Sequence, residues 1–386
     1  MKPLEIYLHI PFCAKKCRYC DFLSAPADRE TQKAYIDAMK NEILRFPEAG
    51  KYRVDTVFFG GGTPTLLPEK DIETLLEALR KRFVFSADPE ITIECNPGTA
   101  DPDQLLAYRG MGINRLSLGL QSTDGRQLAL LGRIHTWEDF LFTYRQARKA
   151  GFRNINVDLM SALPGQSVSS WEETLRKTAD LEPEHISAYS LILEPETPLY
   201  EQYREETEKR ERGEDTELLP TEEEEREMYW RTQEILEERG MERYEISNYA
   251  RPGFACRHNI GYWTGAEYAG FGLGAASLLN HVRYENPRKL STYIIGDFTE
   301  RQRTVLRQKD EMEEFMFLGL RLKRGVSEDE FFKRFGRNME AVYGETLIKL
   351  RREGMLKQEG EYTALTRRGT DLANYVMAQF LLEDPL

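Results

Sequence analysis

Leu4-Glu5-Ile6-Tyr7-Leu8-His9-Ile10-Pro11-Phe12-Cys13-Ala14-Lys15-Lys16-Cys17-Arg18-Tyr19-Cys20-Asp21-Phe22 decides how this chain is read. Its first part, Leu4–Ile10, alternates like a strand. The strand runs straight into Cys13, Cys17 and Cys20, spaced C-x3-C-x2-C, and no fourth cysteine follows nearby. Thiolates are the usual ligands of a four-iron cluster, so three of them leave one iron open to a group that is not protein. Lys15, Lys16 and Arg18 are interleaved with the thiols, and positive charge favours thiolate. A second reading of the same spacing is a zinc site that borrows a fourth ligand, such as Cys95 or His258.

Beyond this strand the first half of the chain keeps alternating. Strand patterns fall at Leu4–Ile10, Val54–Phe59, Glu90–Glu94, Arg115–Gly119, Asn154–Leu159 and His185–Leu191. Helical patterns lie between and after them, at Arg29–Phe46, Glu69–Phe83, Pro102–Gly110, Asp124–Leu130, Thr136–Ala150 and Ser169–Leu181. Repeated strand–helix units imply a parallel sheet with right-handed crossovers. Six units predict an α/β fold, a partial TIM-like (β/α)6 barrel. In barrels of this class chemistry sits at the C-terminal ends of the strands. Those ends carry the cysteine loop, Gly60-Gly61-Gly62-Thr63-Pro64-Thr65, Glu94-Cys95-Asn96-Pro97-Gly98, Gly119-Leu120-Gln121-Ser122, Asp158-Leu159-Met160 and Tyr189-Ser190-Leu191.

The remainder divides in two. Residues 201–303 read as a charged connector and barrel-closing segment. Tyr200–Leu219 is strongly charged, poorly periodic and expected to be a mobile excursion. Thr221 with Glu224 forms a capping box, and the acids Glu222–Glu225 suit a helix start. Residues 304–386 read as a small unit with helices at Glu311–Leu322, Glu328–Phe335, Leu347–Glu353 and Thr370–Leu381. A hairpin of Met355–Lys357 and Glu361–Leu365 completes a winged-helix-like pattern, with residues 1–200 left as the barrel.

Composition narrows the function. The chain has 386 residues, 40% of them hydrophobic and 31% charged, as expected of a soluble globular protein. No apolar run approaches the roughly 18 residues of a membrane span, and no signal-peptide pattern opens the chain. A cytoplasmic location is expected. The net charge of −12 argues against a nucleic-acid partner. In a reducing compartment clustered cysteines point to metal rather than disulfides. Cys95 and Cys256, far from the cluster, read as small buried apolar residues.

Gly60–Pro64 follows a strand and precedes a helix, so its backbone can approach a ligand closely. Together with the cysteine loop, this turn resembles the radical S-adenosylmethionine (SAM) superfamily. The likeness runs on through Glu94–Pro97, Gly119–Ser122, Leu131-Gly132-Arg133-Ile134-His135, Asn156–Met160 and the C-terminal unit. It is nearest the branch of oxygen-independent coproporphyrinogen III oxidase and its heme-chaperone relatives. The resemblance implies that Cys13, Cys17 and Cys20 hold a 4Fe–4S cluster whose open iron is chelated by SAM. It also implies cofactor contacts from Tyr7, Gly61, Gly62, Thr63, Glu94, Gln121, Arg133 and Asp158. A guanidinium such as that of Arg133 matches carboxylate geometry.

Two features bear on the branch. The oxidases carry a fourth cysteine two residues after the third and a longer N-terminal extension. Phe22 stands at that position here, and only twelve residues precede Cys13. The second feature is Cys256-Arg257-His258-Asn259-Ile260-Gly261-Tyr262-Trp263, which resembles the heme-associated motif of the chaperone branch. A neutral imidazole can ligate heme iron, and aromatic rings pack on a porphyrin. His258 is the candidate ligand, Cys256 a weaker one, and Tyr262 and Trp263 the candidate packing residues. The expectation is a heme chaperone that passes heme to acceptors, respiratory proteins by the resemblance. A heme donor protein, a homodimer and peripheral attachment to a membrane are compatible with it. Two alternatives stand: the oxidase itself, using a 5′-deoxyadenosyl radical, and a zinc-stabilised barrel with a binding role. Gly-rich Ala269–Ser277 lacks a dinucleotide fingerprint and reads as a loop closing the barrel mouth.

Overall fold

The computed structural model describes residues 1–299 and 301–382. The last four residues of the 304–386 unit, and Glu300, lie outside the described residues. Six parallel strands form in chain order: β1 (Lys2–Ile10), β2 (Tyr52–Gly61), β3 (Val84–Cys95), β4 (Arg115–Gln121), β5 (Ile155–Ser161) and β6 (His185–Ser190). Between and after them run α1 (Arg29–Leu44), α2 (Glu69–Arg82), α3 (Pro102–Gly110), α4 (Gly125–Leu131), α5 (Trp137–Lys149) and α6 (Val168–Ala179). The helix starts follow local chemistry. Asp28, Asp101, Thr136 and Ser167 each accept a backbone N–H from the first turn of the helix that follows. Alternation along the strands then fixes two faces. On β4, Leu116, Leu118 and Leu120 are fully buried in the core under the helices. Arg115, Ser117, Gly119 and Gln121 face the barrel interior, where they line its cavities.

The sheet is larger than six strands. The stretch 201–303 supplies β7 (Glu242–Arg243), β8 (Asn248–Ala250), β9 (Tyr268–Phe271), β10 (Ala276–Leu279) and β11 (Val282–Glu285), and β12 (Arg303–Val305) begins at its end. The full order is β12-β11-β10-β9-β1-β2-β3-β4-β5-β6-β8-β7. Strand β9 runs parallel to β1, and β8 antiparallel to β6. Tyr200–Leu219, expected to be a mobile excursion, is largely structured instead. It continues α7 (Pro198–Gln202), carries α8 (Arg204–Glu211) and folds back, with Glu206 accepting from Glu217 N and Leu218 N. The neighbouring Leu199 N donates to Arg18 O at 2.9 Å, so this segment braces the cysteine loop.

Helix α9 (Glu222–Glu238) starts at the capping box of Thr221 and Glu224 and packs on α6, where Trp171 donates to Thr232 at 2.9 Å. Helix α10 (Arg257–Thr264) lies across the N-terminal end of the barrel, and α11 (Leu290–Ile294) packs on α1. The C-terminal unit contains α12 (Gln308–Gly319), β13 (Val326–Ser327), α13 (Glu328–Phe335), α14 (Met339–Arg352), β14 (Leu356–Glu359) and β15 (Tyr362–Leu365). It ends in α15 (Arg367–Asp371) and α16 (Ala373–Ala378), two short helices where one was expected, because the backbone leaves helical geometry at Leu372. Its strands form a separate sheet, β13-β15-β14, over a separate core around Met316, Phe331 and Leu347. Among the described residues no helix is long and apolar enough to cross a membrane.

Candidate functional site

The site begins at the end of β1. Gly62 N donates to Ile10 O at 2.8 Å and Thr63 N to Phe12 O at 2.7 Å, so the glycine turn and the cysteine loop are stitched together. A Cβ on Gly62 would lie 2.6 Å from Phe12 O, and one on Gly61 (φ +108°) 2.5 Å from the His9 ring. Only glycine fits either place. The cysteine loop rests on the end of α4, where Arg18 N donates to Leu131 O.

Cys13, Cys17 and Cys20 are half-buried, free thiols on the wall of a cavity of about 590 Å³. Gly61, Gly62, Thr63, Glu94, Gln121, Arg133 and Asp158 line the same cavity. Tyr7 lines the adjoining chamber of about 630 Å³, which shares Glu94, Ser117, Asp158 and Tyr189 with the first. The structure thus gathers all the expected cluster and SAM residues at one end of the barrel and the space beneath it. Thr63 Oγ1 donates to Cys13 Sγ at 3.7 Å and Arg133 to Cys17 Sγ at 3.5 Å. Burial pushes the Cys20 thiol up, and the Lys16 charge, which lowers it, does not overcome this.

The deeper groups have distinct environments. Glu94 accepts from Gly61 N at 3.0 Å. Burial, with the nearby Asp158, pushes its carboxyl up to about 8. Asp158 accepts from Ser117 and Asn156, and burial raises it too. Gln121 accepts from Tyr189 OH at 3.3 Å. Asn96 ties the rim together: it donates to Thr63 Oγ1 and accepts from Arg133 at 2.6 Å. Among the described residues the buried Arg133 Nε has no hydrogen-bond partner.

This donor set fits the implied group. Three half-buried thiols face a cavity with an open fourth side, beside a carboxylate acceptor and an arginine with an unused donor. The fourth ligands of the zinc reading are otherwise engaged, Cys95 on the wall of the same cavity and His258 in the chamber beneath it. Cys95 bonds Thr99 and Asn96 O, and His258 sits with Thr56 and Tyr262. Among the described residues no three His, Cys, Asp or Glu side chains group as ligands of a single ion. Cys95 and Cys256 are both buried, as expected.

His258 lies on α10 at the floor of the 630 Å³ chamber and is 2% exposed. Its Nδ1 pairs with Thr56 Oγ1 at 2.7 Å and its Nε2 with Tyr262 OH at 3.2 Å. Burial, then the Arg115 charge, lowers it to about 3, so the ring is neutral. Tyr262 lines the same chamber, edge-on to His258 at 5.0 Å. Trp263 does not, which corrects its expected place. It turns away to the C-terminal unit, where Arg321 stacks 4.3 Å from its ring. The i, i+4 pair His258/Tyr262 shares a helix face, and position 263 falls off it. The Ala269–Ser277 segment runs beside β1, with Gly274 close against Leu23 near the mouth.

Several contributors carried no assigned role in the sequence. Asn96, Ser117, Tyr189 and Arg115 all point inward. The alternation Arg115, Ser117, Gly119, Gln121 on β4 was the available signal.

A half-open parallel barrel with a three-cysteine loop at the end of its first strand defines a radical SAM protein. The profile of the radical SAM superfamily matches residues 7–178, and that of the HemN C-terminal domain matches residues 306–372. Among solved structures, coproporphyrinogen III oxidase (HemN) from Escherichia coli superposes with a TM-score of 0.81 at 25% identity, over 98% of this chain and 90% of that one. Heme chaperone HemW of Lactococcus lactis is 36% identical, spanning 99% of this chain and 98% of the relative. HemW of Bacillus subtilis is 34% identical over 98% and 99%, and HemW of Escherichia coli 33% over 99% of each. The chain belongs to the HemW family.

Proposed function

We propose that this chain is a heme chaperone: it binds heme beside a SAM-ligated 4Fe–4S cluster and passes the heme to acceptor proteins. The observation that carries the reading is end-to-end similarity to three heme chaperones, with Phe22 where the oxidase branch has its fourth cysteine. Phe22 is 61% exposed and lines both cavities, an apolar surface at their entrance.

Cys13, Cys17 and Cys20 would hold the cluster. Tyr7, Gly61, Gly62, Thr63, Glu94, Gln121, Arg133 and Asp158 would hold SAM. When bound, these groups supply one-electron chemistry. Glu94 would accept from the ammonium, and the spare Arg133 Nε can donate to the carboxylate. The walls of the barrel would keep both charges out of bulk water, which strengthens their attraction.

Heme would enter the chamber past Phe22 and Leu23, against Phe58, Tyr262 and Tyr268. His258 would ligate the iron through Nε2 by giving up its Tyr262 bond, while Thr56 keeps the ring oriented through Nδ1. Trp263 has no part in this packing. The acceptors would be respiratory proteins, reached in the cytoplasm at the membrane surface. Titration with hemin tests the reading. Wild type is expected to give a saturable Soret band, and His258→Ala to shift that band and weaken binding. Equal spectra and affinity would remove His258 as the ligand, and no saturable band from wild type would remove the chaperone reading.

A further inference from the structure

Arg115 opens β4 and is 2% exposed. It lines the 630 Å³ chamber that His258 and Tyr262 also line. It sits two residues below Ser117 on the inward face, so about 7 Å under the Glu94/Asp158 level. A buried guanidinium ordinarily has a carboxylate partner, because an unpaired buried charge is costly. Arg115 has none among the described residues, and its Nε lacks any hydrogen-bond partner.

The acceptors nearby are already engaged. Glu90 Oε1 takes His258 N at 3.1 Å and Cys256 Sγ at 3.6 Å, and its Oε2 takes Arg257 N at 3.1 Å. Asp158 takes Ser117 at 3.0 Å and Asn156 at 2.9 Å. Asn156 Oδ1 takes Ser187 at 3.1 Å and pairs with His185 Nδ1 at 2.6 Å. Tyr244 OH takes Cys256 N and pairs with His185 Nε2. Glu5 lies under the floor, 4.0 Å from His258, where burial pushes it up to about 9, and Glu94, higher on the chamber wall, is pushed up to about 8. The chamber therefore holds a buried guanidinium with an unpaired Nε, beside carboxyls that are already hydrogen-bonded or that burial pushes toward the neutral form, while Asp21 and Arg288 lie exposed at its rim.

We propose that Arg115 is the anchor for a carboxylate arm of the ligand that fills this chamber. On the heme-chaperone reading, on which this inference rests, that arm is a propionate of the tetrapyrrole. The fork pairs with a carboxylate in two parallel hydrogen bonds. It fixes the edge of the macrocycle that points to the barrel floor and leaves the apolar edge toward Phe22 and Leu23.

The test uses metal-free coproporphyrin III, which carries propionates but no iron, and its tetramethyl ester, which has the same ring and no anion. Binding to the full-length chain is followed by porphyrin fluorescence. Wild type is expected to prefer the acid over the ester by at least tenfold. Arg115→Gln is expected to abolish that preference, and Arg115→Lys to keep part of it. The probe carries no iron, so its acid preference reports on the carboxylate anchor and not on axial ligation, which separates this inference from the axial-ligand proposal. Circular dichroism and SAM binding report whether each variant is folded. Undiminished preference for the acid in folded Arg115→Gln would overturn the inference, as would no preference, or no binding, in wild type. Hemin binding by the same wild-type sample decides the chaperone reading separately.

Discussion

Glu94 shows how burial alone prepares a side chain. Held at about 8 by desolvation and by Asp158, its carboxyl is protonated at neutral pH in the cofactor-free chain. Accepting from an ammonium favours the carboxylate, so cofactor binding releases a proton below pH 8. The sign follows from linkage: SAM affinity rises as pH rises toward 8, by at most about tenfold per pH unit, and levels off above it. Isothermal titration from pH 6 to 8.5 is expected to show this slope in wild type and a flat profile in Glu94→Gln. An equal slope in both would assign the proton elsewhere. Which residues face the lumen was legible from alternation and from the quoted strand ends. The Asn96 bridge between Thr63 and Arg133 was not, because it joins side chains from three separate strand–helix units.

Among the elements, α10 is the one the sequence concealed. Its eight residues hold little periodicity, and its N-terminus is fixed by Glu90 from β3, far away along the chain. Two dispersed contacts therefore make it a helix, and local propensity gives no hint of either. Its seat on the barrel floor is tight: a Cβ on Gly261 would stand 1.7 Å from Glu5 Oε1. Gly261→Ala is expected to cost about 1–3 kcal/mol, the range of an overpacked core, measured by urea unfolding. Unchanged stability would mean that α10 shifts freely. Strands β1 to β6 were readable because apolar residues alternate along them and helical patterns separate them. Strands β7 to β12 span only two to four residues, and their pairing is set by the edges they meet rather than by their own pattern.

At the scale of the molecule, the extra strands do two things to the barrel. Strands β9 to β12 extend the edge at β1, next to the cysteine loop, and β8 covers β6. The segment that links these edges lays α10 across the bottom, where His258 and Tyr262 close the floor of the chamber. The C-terminal unit is tied to this frame by Arg283 with Glu314 at 2.7 Å and by Arg321 on Trp263. The order of helices and hairpin in the C-terminal unit was legible from caps and hairpin signals, whereas its contact through Trp263 was not, because the motif itself pointed to heme. The central claim is that this architecture carries heme rather than oxidising a porphyrinogen. The most direct measurement is anaerobic reconstitution of the full chain, with iron, sulfide, heme and products quantified in one sample containing SAM, reductant and coproporphyrinogen III. The account predicts about four non-heme iron and four sulfide per chain, bound heme, and no protoporphyrinogen. Protoporphyrinogen and 5′-deoxyadenosine formed at enzyme-like rates would contradict it.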